Sequence, residues 1–579
     1  MSDSTGRLCA AVRRMRAAPA CLMAALALLC AWAPAFPAAG AVRFEVSFPA
    51  EVESGEITGR LLVVISPHAG LEPRLGLRRT NPVGYRPDLA VAFLGRDVEG
   101  LRPGRTVVVD ADADSYPVDL DELPVGDYHV QAVLVRYTRA RRSDGHRIWV
   151  PITDRAVNPH LMPGNLYSAP VEIRIDRTAE RTVRLSLTEV IPPLPEPEDT
   201  QWLRHVRIRS EILSRFWGVP MYLRAHVLVP RGFDENPQAR YPAIYLFGHG
   251  QAPLFFNPDP ASHEASLQAA RAANLETGYE FYQSWISDDF PRMVAITFEM
   301  PSPYFIESYA VNSANNGPYG DAITRELIPY LEREFRLIPE AYARIVEGAS
   351  TGGWEALALQ LHYPDFFGGA WVFNPDPIDF RRYQLVDIYR DENMFSVRLD
   401  AWRHVERPFR RTREGQPLGT LRELARFESV LGSRGRSGFQ LGIWQATHGP
   451  VGPDGYPVPL FDPKTGVIDK RVVEYMRENG YDLSEYARRN WATLGPKLAG
   501  KLHLFAGDMD DFYLNLAVYE FQAMLAEVAG PDYPARFEYG RPKKGHNWHH
   551  TNWAGVVREM ARHIARSAPE GADTSQWSR

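Results

Sequence analysis

Short runs of alternating or β-branched hydrophobic residues fill residues 42–190, and Gly, Pro and Asp separate them. This punctuation is typical of strands joined by tight turns. The clearest run follows a Pro-Val-Gly-Asp turn at 124–127 and alternates large and polar residues. The strands predicted in this way are RLLVVIS, RTVVVDA, YHVQAVLVRY, VEIRID and TVRLSLTEV. Their regular spacing predicts an all-β, immunoglobulin-like sandwich.

The hydrophobic period changes after a proline-rich, acidic linker at residues 191–200. Apolar runs, which predict buried strands, then alternate with amphipathic patterns, which predict helices. The predicted strands are YPAIYLFGHG, RMVAITFEMP, ARIVEGAS, GAWVFNPDP, KLHLFAGD and ARFEYG, and the predicted helices are GDAITRELIPYLEREFR, GGWEALALQLHY and YLNLAVYEFQAMLAEV. This alternation predicts an α/β domain at residues 201–570, with a parallel sheet covered by helices on both faces. At about 377–496 the pattern breaks, and we interpret that segment as an insertion or cap.

The first 41 residues have the composition of a secretory signal peptide. Four arginines precede the apolar run ACLMAALALLCAWA, which ends in small residues before Val42. This order predicts cleavage at that point and a secreted or periplasmic protein; a membrane anchor that stays attached is the alternative. The run is too short to predict a spanning helix, and no span is expected after signal removal. All three cysteines lie in this segment, so the mature chain would lack disulfides and a cysteine nucleophile.

The charge of the chain argues against one class of partner. Its formal net charge is −6, and no dense run of Lys or Arg occurs. Nucleic-acid binding depends on a concentrated positive surface. We therefore expect no nucleic-acid partner.

One stretch, VEGASTGGWEA, carries the pattern G-x-S-x-G around Ser350. A predicted strand runs into the pattern and a predicted helix leaves it, which is the context of a nucleophile elbow. Small residues are required there because the backbone packs closely around the serine. The alternative is a serine that only caps the following helix.

A nucleophilic serine needs a base and an acid, which follow it in the order Ser, Asp or Glu, His in this arrangement. KKGHNWHH offers His546 as the base, just after a predicted strand. FAGDMDDFYLN offers three acids after the preceding strand, namely Asp508, Asp510 and Asp511. These aspartates lack the spacing of a calcium loop, and the H-x-x-H of HNWH lacks a third zinc ligand. No metal is expected.

The oxyanion that forms during attack on a carbonyl requires two backbone donors. The amide of Thr351, directly after the serine, is one candidate. The second is expected in the loop after the strand YPAIYLFGHG, at Gly250 or Gln251.

Several of these motifs resemble the “putative esterase” branch of the α/β-hydrolases, which includes esterase D, enterochelin esterases, feruloyl esterases and mycolyltransferases. The resemblance covers about residues 201–565 and rests on YPAIYLFGHG, NSANNGPYGDAITRELIPYLEREFR, GASTGG with YPDFFGG, and GHNW. It implies an α/β-hydrolase fold. In that branch a glycine three positions before an aspartate, and a phenylalanine two after it, mark the triad acid. Gly507, Asp510 and Phe512 match, so the resemblance implies Asp510 as the acid and His546 as the base.

An aromatic loop, PSPYFIESYAVNSANNGPYG, precedes the first predicted helix. It is expected near the carboxyl edge of the sheet, where open α/β sheets bind ligands. Tyr304, Tyr309 and Asn312 are therefore candidate substrate-binding residues, although the tyrosines are equally suited to packing.

Together these features predict an exported serine esterase. It would act on a small-molecule or glycan-linked carboxylic ester through a Ser-His-Asp triad, without a cofactor. An acyltransferase of the same fold and a non-catalytic secreted binding protein on a hydrolase scaffold are the alternatives.

Overall fold

The computed structural model describes residues 42–84, 89–176, 180–249 and 252–577. The predicted signal peptide and two of the predicted oxyanion residues, Gly250 and Gln251, lie outside these residues. Among the residues described, no helix is both long and apolar enough to cross a membrane.

The N-terminal part of the chain consists mainly of strands. Nine of them join in the order β4-β1-β11-β9-β6-β2-β3-β5, with β10 paired to β6, while β7 and β8 form a hairpin. The bounds are β1 Val42–Ser47, β2 Ile57–Ser66, β3 Ala92–Leu101, β4 Val107–Val109, β5 Asp114–Tyr116, β6 Gly126–Arg136, β7 Thr138–Arg141, β8 Arg147–Val150, β9 Leu166–Ser168, β10 Val171–Ile175 and β11 Arg181–Val190, with one helix, α1 Pro73–Thr80. All five predicted strands are present. The immunoglobulin-like assignment and the domain boundaries remain predictions.

A second sheet follows, in the order β12-β13-β15-β14-β18-β19-β22-β23. Its strands, together with two short hairpins, are β12 Leu203–Ser210, β13 Met221–Leu228, β14 Ala243–Phe247, β15 Val294–Glu299, β16 Asn312–Ser313, β17 Gly317–Pro318, β18 Arg344–Ala349, β19 Gly369–Phe373, β20 Ser396–Arg398, β21 His404–Glu406, β22 Leu502–Gly507 and β23 Arg536–Gly540. The six strands from β15 to β23 in this order run parallel, as predicted. The two at the other edge, β12 and β13, are antiparallel and were not predicted.

The same part of the chain forms helices, most of which accompany this sheet. Their bounds are α2 Glu211–Trp217, α3 Ala261–Ala272, α4 Gly278–Trp285, α5 Tyr319–Ala322, α6 Ile328–Glu334, α7 Thr351–His362, α8 Leu421–Leu431, α9 Gln440–His448, α10 Lys470–Glu478, α11 Leu483–Leu498, α12 Asn515–Ala529 and α13 Trp553–Ser567. The single helix predicted at 320–336 is divided, because a π-helical turn at Ile323–Leu327 separates α5 from α6. Pro329 follows that turn and has no N–H to continue the regular ladder, which favours a local change of winding.

The burial of strand β2 explains why residues 61–65 are an unbroken apolar run and do not alternate with polar residues. All of its residues are buried, because both faces of the strand are covered. Leu61 and Val63 point into the core of the N-terminal part. Leu62 and Val64 belong to a different cluster, which includes Phe427 of α8. The segment predicted as an insertion thus packs on the outer face of the N-terminal sheet.

Aromatic rings and one buried arginine hold this contact. The ring of Phe427 lies 5.7 Å from that of Phe93 and 5.4 Å from that of Tyr116, both near edge-to-face. Arg60, with its side chain 3% exposed, donates to the carbonyl oxygen of Val430 at 2.9 Å. Its guanidinium also pairs with acidic side chains of the N-terminal part. Apolar packing and a hydrogen-bonded arginine therefore both stabilise the contact between helix α8 and the N-terminal sheet.

Replacing Phe427 with alanine should lower the free energy of unfolding by about 3 kcal/mol or more, because a fully buried ring is lost and a cavity remains. Urea denaturation followed by circular dichroism measures this change. Val125→Ala, at a position that is 56% exposed, is the control and should change the value by less than about 0.5 kcal/mol. Equal effects of the two substitutions would contradict the packing described here.

Candidate active site

Ser350 lies in a tight turn between strand β18 and helix α7. Its backbone has φ 58° and ψ −122°, a region that non-glycine residues rarely occupy. Two hydrogen bonds to the neighbouring strand end fix the turn. The amide of Ser350 donates to the Phe373 carbonyl, and the amide of Asp376 donates to the Ser350 carbonyl, both at 3.0 Å. The serine side chain is thereby held at the carboxyl edge of the sheet, half-buried.

The glycines of the pattern are required by close backbone contacts. A Cβ atom at Gly352 would lie 2.0 Å from the carbonyl oxygen of Phe247, and one at Gly348 would lie 2.2 Å from that of Gly352. Neither neighbour is a flexible side chain that could move away. The G-x-S-x-G spacing therefore follows from the packing of the turn against strand β14.

His546 and Asp510 form a hydrogen-bonded pair. Nδ1 of His546 lies 2.7 Å from Oδ2 of Asp510, which is fully buried. The other oxygen of Asp510 accepts hydrogen bonds from the amides of Phe512 and Leu514, at 2.8 and 3.1 Å. Burial acts to lower the pKa of His546, but the charge and hydrogen bond of Asp510 outweigh it, so the pKa is raised from 6.5.

The other two aspartates of this loop have different partners. Asp508 accepts from the amide of Lys544 at 2.9 Å. Asp511 accepts from the backbone amide of His546 at 3.2 Å, and not from its ring. Of the three candidates, Asp510 is thus the one that holds the imidazole.

The loops that carry these residues are tied together by Asn374, which directly follows strand β19. Its Nδ2 donates to the carbonyl of Trp548 at 3.1 Å, two residues after His546. Its Oδ1 accepts from the amide of Gly507 at 2.9 Å, at the end of strand β22. One side chain therefore joins the strand next to the nucleophile, the strand before the acid and the loop of the base.

Asp376 was not predicted, yet it is the side chain that contacts Ser350. Oγ of Ser350 lies 3.5 Å from Oδ1 of Asp376, and no hydrogen bond joins it to His546 within the described part of the chain. Asp376 is buried, with 4% of its surface exposed, and burial raises the pKa of its carboxyl. The sequence signal was weak: NPDP follows a predicted strand, but the partner of that strand in the sheet was unknown.

The second oxygen of Asp376 is surrounded by hydrogen-bond donors. Oδ2 accepts from the hydroxyls of Tyr309 at 2.5 Å and Thr351 at 3.1 Å, and from Nε2 of Gln440 at 2.9 Å. Nε1 of Trp444 lies 3.4 Å away. Gln440 and Trp444 belong to α9, so the predicted insertion contributes one wall of the site.

Of the three predicted substrate-binding residues, all within the described ranges, only Tyr309 contacts Asp376 beside Ser350. Tyr309 is fully buried, and its hydroxyl donates to Asp376 and also contacts Gln440 and Trp444. Tyr304 is fully buried as well, with its ring 6.3 Å from that of Trp217. Asn312 accepts from the amide of Asp321 at 3.0 Å and has no described contact with Ser350 or His546.

Thr351 follows the serine as the first residue of α7, where backbone amides have no partner within the helix. His249, the last described residue before the Gly250–Gln251 gap, lies with Nδ1 3.7 Å from the carboxylate of Glu307. His550 near the base contacts Glu559. In the described ranges, no group of three or more His, Cys, Asp or Glu could hold a metal ion.

Gly352→Ala should lower the free energy of unfolding by about 2 kcal/mol, because the new methyl group would overlap the Phe247 carbonyl. Chemical denaturation checks this. Gly70→Ala is the matched control, since a Cβ atom there meets nothing within 4 Å. If both variants unfold like the parent protein, the close packing of the turn is refuted.

Comparison with known proteins gives a family match for part of the chain. Residues 221–413 match the family model described as “Putative esterase”. No curated protein matches the chain.

Solved structures that resemble the chain include several esterases. An S-formylglutathione hydrolase from Staphylococcus aureus is 12% identical, with 62% of this chain and 99% of that chain covered and a TM-score of 0.29. One from Agrobacterium tumefaciens is 11% identical, with 64% and 98% covered and a TM-score of 0.31. A CE1 ferulic acid esterase from Anaeromyces mucronatus, in complex with ferulic acid, is 11% identical, with 63% and 90% covered and a TM-score of 0.25. Likeness at this level does not extend to the substrate of this chain.

The family match agrees with the mixed, mostly parallel sheet and with the turn between β18 and α7 that presents Ser350. The resemblance inferred from the sequence is confirmed, and with it the enzyme class: residues 221–413 match the “Putative esterase” family, and the protein is a carboxylic ester hydrolase.

Proposed function

We propose that this protein is an exported serine esterase that works through Ser350, His546 and Asp510 and a covalent acyl-enzyme. The observation that carries the proposal is the hydrogen-bonded His546–Asp510 pair on the same sheet edge as a serine in a strained turn. A nucleophile, a base and an orienting acid in this chain order are the parts that ester cleavage by a serine requires.

The reaction begins with attack of Ser350 Oγ on the ester carbonyl. With its Nδ1–H donated to Asp510, His546 presents the lone pair of Nε2 and takes the serine proton as the new C–O bond forms. The oxyanion is stabilised by the amide of Thr351 and, from the sequence, by an amide at Gly250 or Gln251. When the tetrahedral intermediate collapses, the alcohol leaves with the proton held by His546.

The acyl-enzyme is then hydrolysed by the same groups. His546 takes a proton from water, which attacks the acyl carbonyl; as the Oγ–C bond breaks, His546 returns that proton to Ser350 Oγ and the carboxylic acid is released. In the ground state the Ser350 hydroxyl contacts Asp376, so rotation about its Cα–Cβ bond is needed before attack. The catalytic hydrogen bond between a serine and its histidine base commonly forms fully only when substrate binds.

The localisation and the substrate class are proposed from the signal peptide and the family match. The predicted signal peptide supports export to the periplasm or the medium. The family match supports a carboxylic ester, and one of the similar structures is a complex of an esterase with ferulic acid. Small-molecule and glycan-linked esters are accordingly the first substrates to test.

The triad is tested by hydrolysis of p-nitrophenyl esters of increasing acyl length. Ser350→Ala and His546→Ala should each lower kcat by about 10⁴-fold or more, and Asp510→Asn by a similar factor, because the imidazole loses its orientation. Asp508→Asn is the matched control from the same loop and should retain most of the activity. Activity that survives in Ser350→Ala would refute the proposed nucleophile.

The pH dependence of kcat/KM provides an independent test of the His546–Asp510 pair. His546 must be neutral to accept a proton, and Asp510 raises its pKa, so activity should fall as the pH drops through a value above 6.5. In Asp510→Asn that acid limb should move to lower pH, because burial then lowers the pKa of His546 with less opposition. An acid limb that does not move would show that another group controls it.

A further inference from the structure

The two oxygens of Asp376 have unequal surroundings. Oδ2 accepts from Tyr309, Thr351 and Gln440, with Trp444 nearby. Oδ1 has one hydrogen-bond partner among the described residues, the hydroxyl of Ser350 at 3.5 Å, which is the outer limit of a hydrogen bond. The carboxyl group is thus held by one oxygen, and the other faces the nucleophile.

This arrangement fixes the orientation of the group. A partial rotation of the carboxyl plane would break the contacts of the four side chains around Oδ2, whereas a half-turn only exchanges two equivalent oxygens and restores the same arrangement. The side chains themselves are restrained, because Tyr309 is fully buried and Gln440 and Trp444 are on one helix. Oδ1 therefore remains an acceptor directed at the reaction centre throughout the cycle.

Acylation removes the one hydrogen bond that the described residues give Oδ1. Once Ser350 Oγ is bonded to the acyl carbon, it has no proton to donate. A buried carboxylate oxygen without a hydrogen-bond donor is unfavourable. Its negative charge also destabilises the oxyanion that forms nearby. A substrate that supplies a donor at this point removes both costs.

The position of Asp376 indicates which part of the substrate it faces. Its Oδ2 contacts the side chain of Thr351, whose amide is the proposed oxyanion donor. The leaving oxygen must instead face His546 to receive a proton. The contact of Oδ1 with Ser350 Oγ puts Asp376 within reach of the acyl part, because a substituent on the carbon next to the carbonyl is three bonds from Ser350 Oγ.

We propose that Asp376 is a specificity-determining residue that selects esters whose acyl part carries a hydroxyl or ammonium group next to the carbonyl, as in esters of 2-hydroxy and 2-amino acids. This inference rests on the proposed function of Ser350. All four groups around Oδ2 can donate, which suits a carboxylate as the acceptor. Unsubstituted acyl groups leave Oδ1 without a partner and are the poorer substrates.

The test compares ethyl propionate, both enantiomers of ethyl lactate, and ethyl alaninate, with hydrolysis followed in a pH-stat. The parent protein should prefer the better lactate enantiomer to propionate by at least about tenfold in kcat/KM, as expected for a hydrogen bond to a charged group. Ethyl alaninate should also exceed propionate. The two lactate enantiomers have the same intrinsic reactivity, so a preference between them reports a fixed contact in the site even if a substitution at Asp376 prevents folding.

Asp376→Asn then assigns the preference to this residue. The amide oxygen should remain among the donors around Oδ2, which turns the NH₂ group toward Ser350. The alaninate-to-propionate ratio should fall to about one, because the ammonium group can only donate and now faces a donor, while the lactate hydroxyl can still accept from the amide NH₂. The matched control is Asp379→Asn, a buried aspartate three residues away that pairs with Arg381, and it should keep the ratio of the parent protein.

Labelling of Ser350 by a fluorophosphonate separates this inference from the proposed function. Equal rates on propionate and lactate, or no hydrolysis of any of these esters, in a protein that is labelled at Ser350 would overturn the role of Asp376 and leave the serine esterase intact. An equal loss of the ratio in Asp379→Asn would also overturn it. No labelling of correctly folded protein would remove the proposed function and this inference together.

Discussion

The turn at Ser350 brings three neighbouring parallel strands into backbone contact. Strand β18 enters the turn, the end of β14 approaches Gly352, and the end of β19 exchanges hydrogen bonds with the serine backbone on both sides. None of these contacts depends on the side chain of the nucleophile, so the direction of its Cα–Cβ bond is set by the sheet itself. The unfavourable φ of Ser350 is maintained because the strands on either side leave no alternative path.

The site contains two buried carboxylates, Asp510 and Asp376, whose hydrogen-bond partners differ. Both oxygens of Asp510 have partners within the enzyme, since one accepts from two backbone amides and the other pairs with the imidazole of His546. Asp376 is equally deep but directs one oxygen at Ser350. Two carboxylates can thus have different positions in one site, one holding the base and one facing the nucleophile, because the hydrogen bonds around each differ. The predicted insertion is part of this division, since its helix α9 holds Asp376 in place.

The sequence predicted the elements around the turn well, because their patterns are local. Strand β18 and helix α7 begin and end within two residues of the predicted bounds, and the chain order of Ser350, Asp510 and His546 needed no structure. The antiparallel strand β12 was missed because it is an edge strand with several charged, half-exposed residues and lacks an apolar run. Asp376 was missed for a different reason: its importance comes from the pairing of β18 with β19, and no local pattern records which strands are neighbours.

The central claim is that Ser350 carries the acyl group during turnover, and peptide mass spectrometry tests it most directly. The protein is mixed with a p-nitrophenyl ester, quenched in acid within the first turnover and digested. We predict a mass increase equal to the acyl group on the peptide that contains Ser350. The same increase on another peptide, or turnover with no covalent intermediate at early quench times, would contradict the claim.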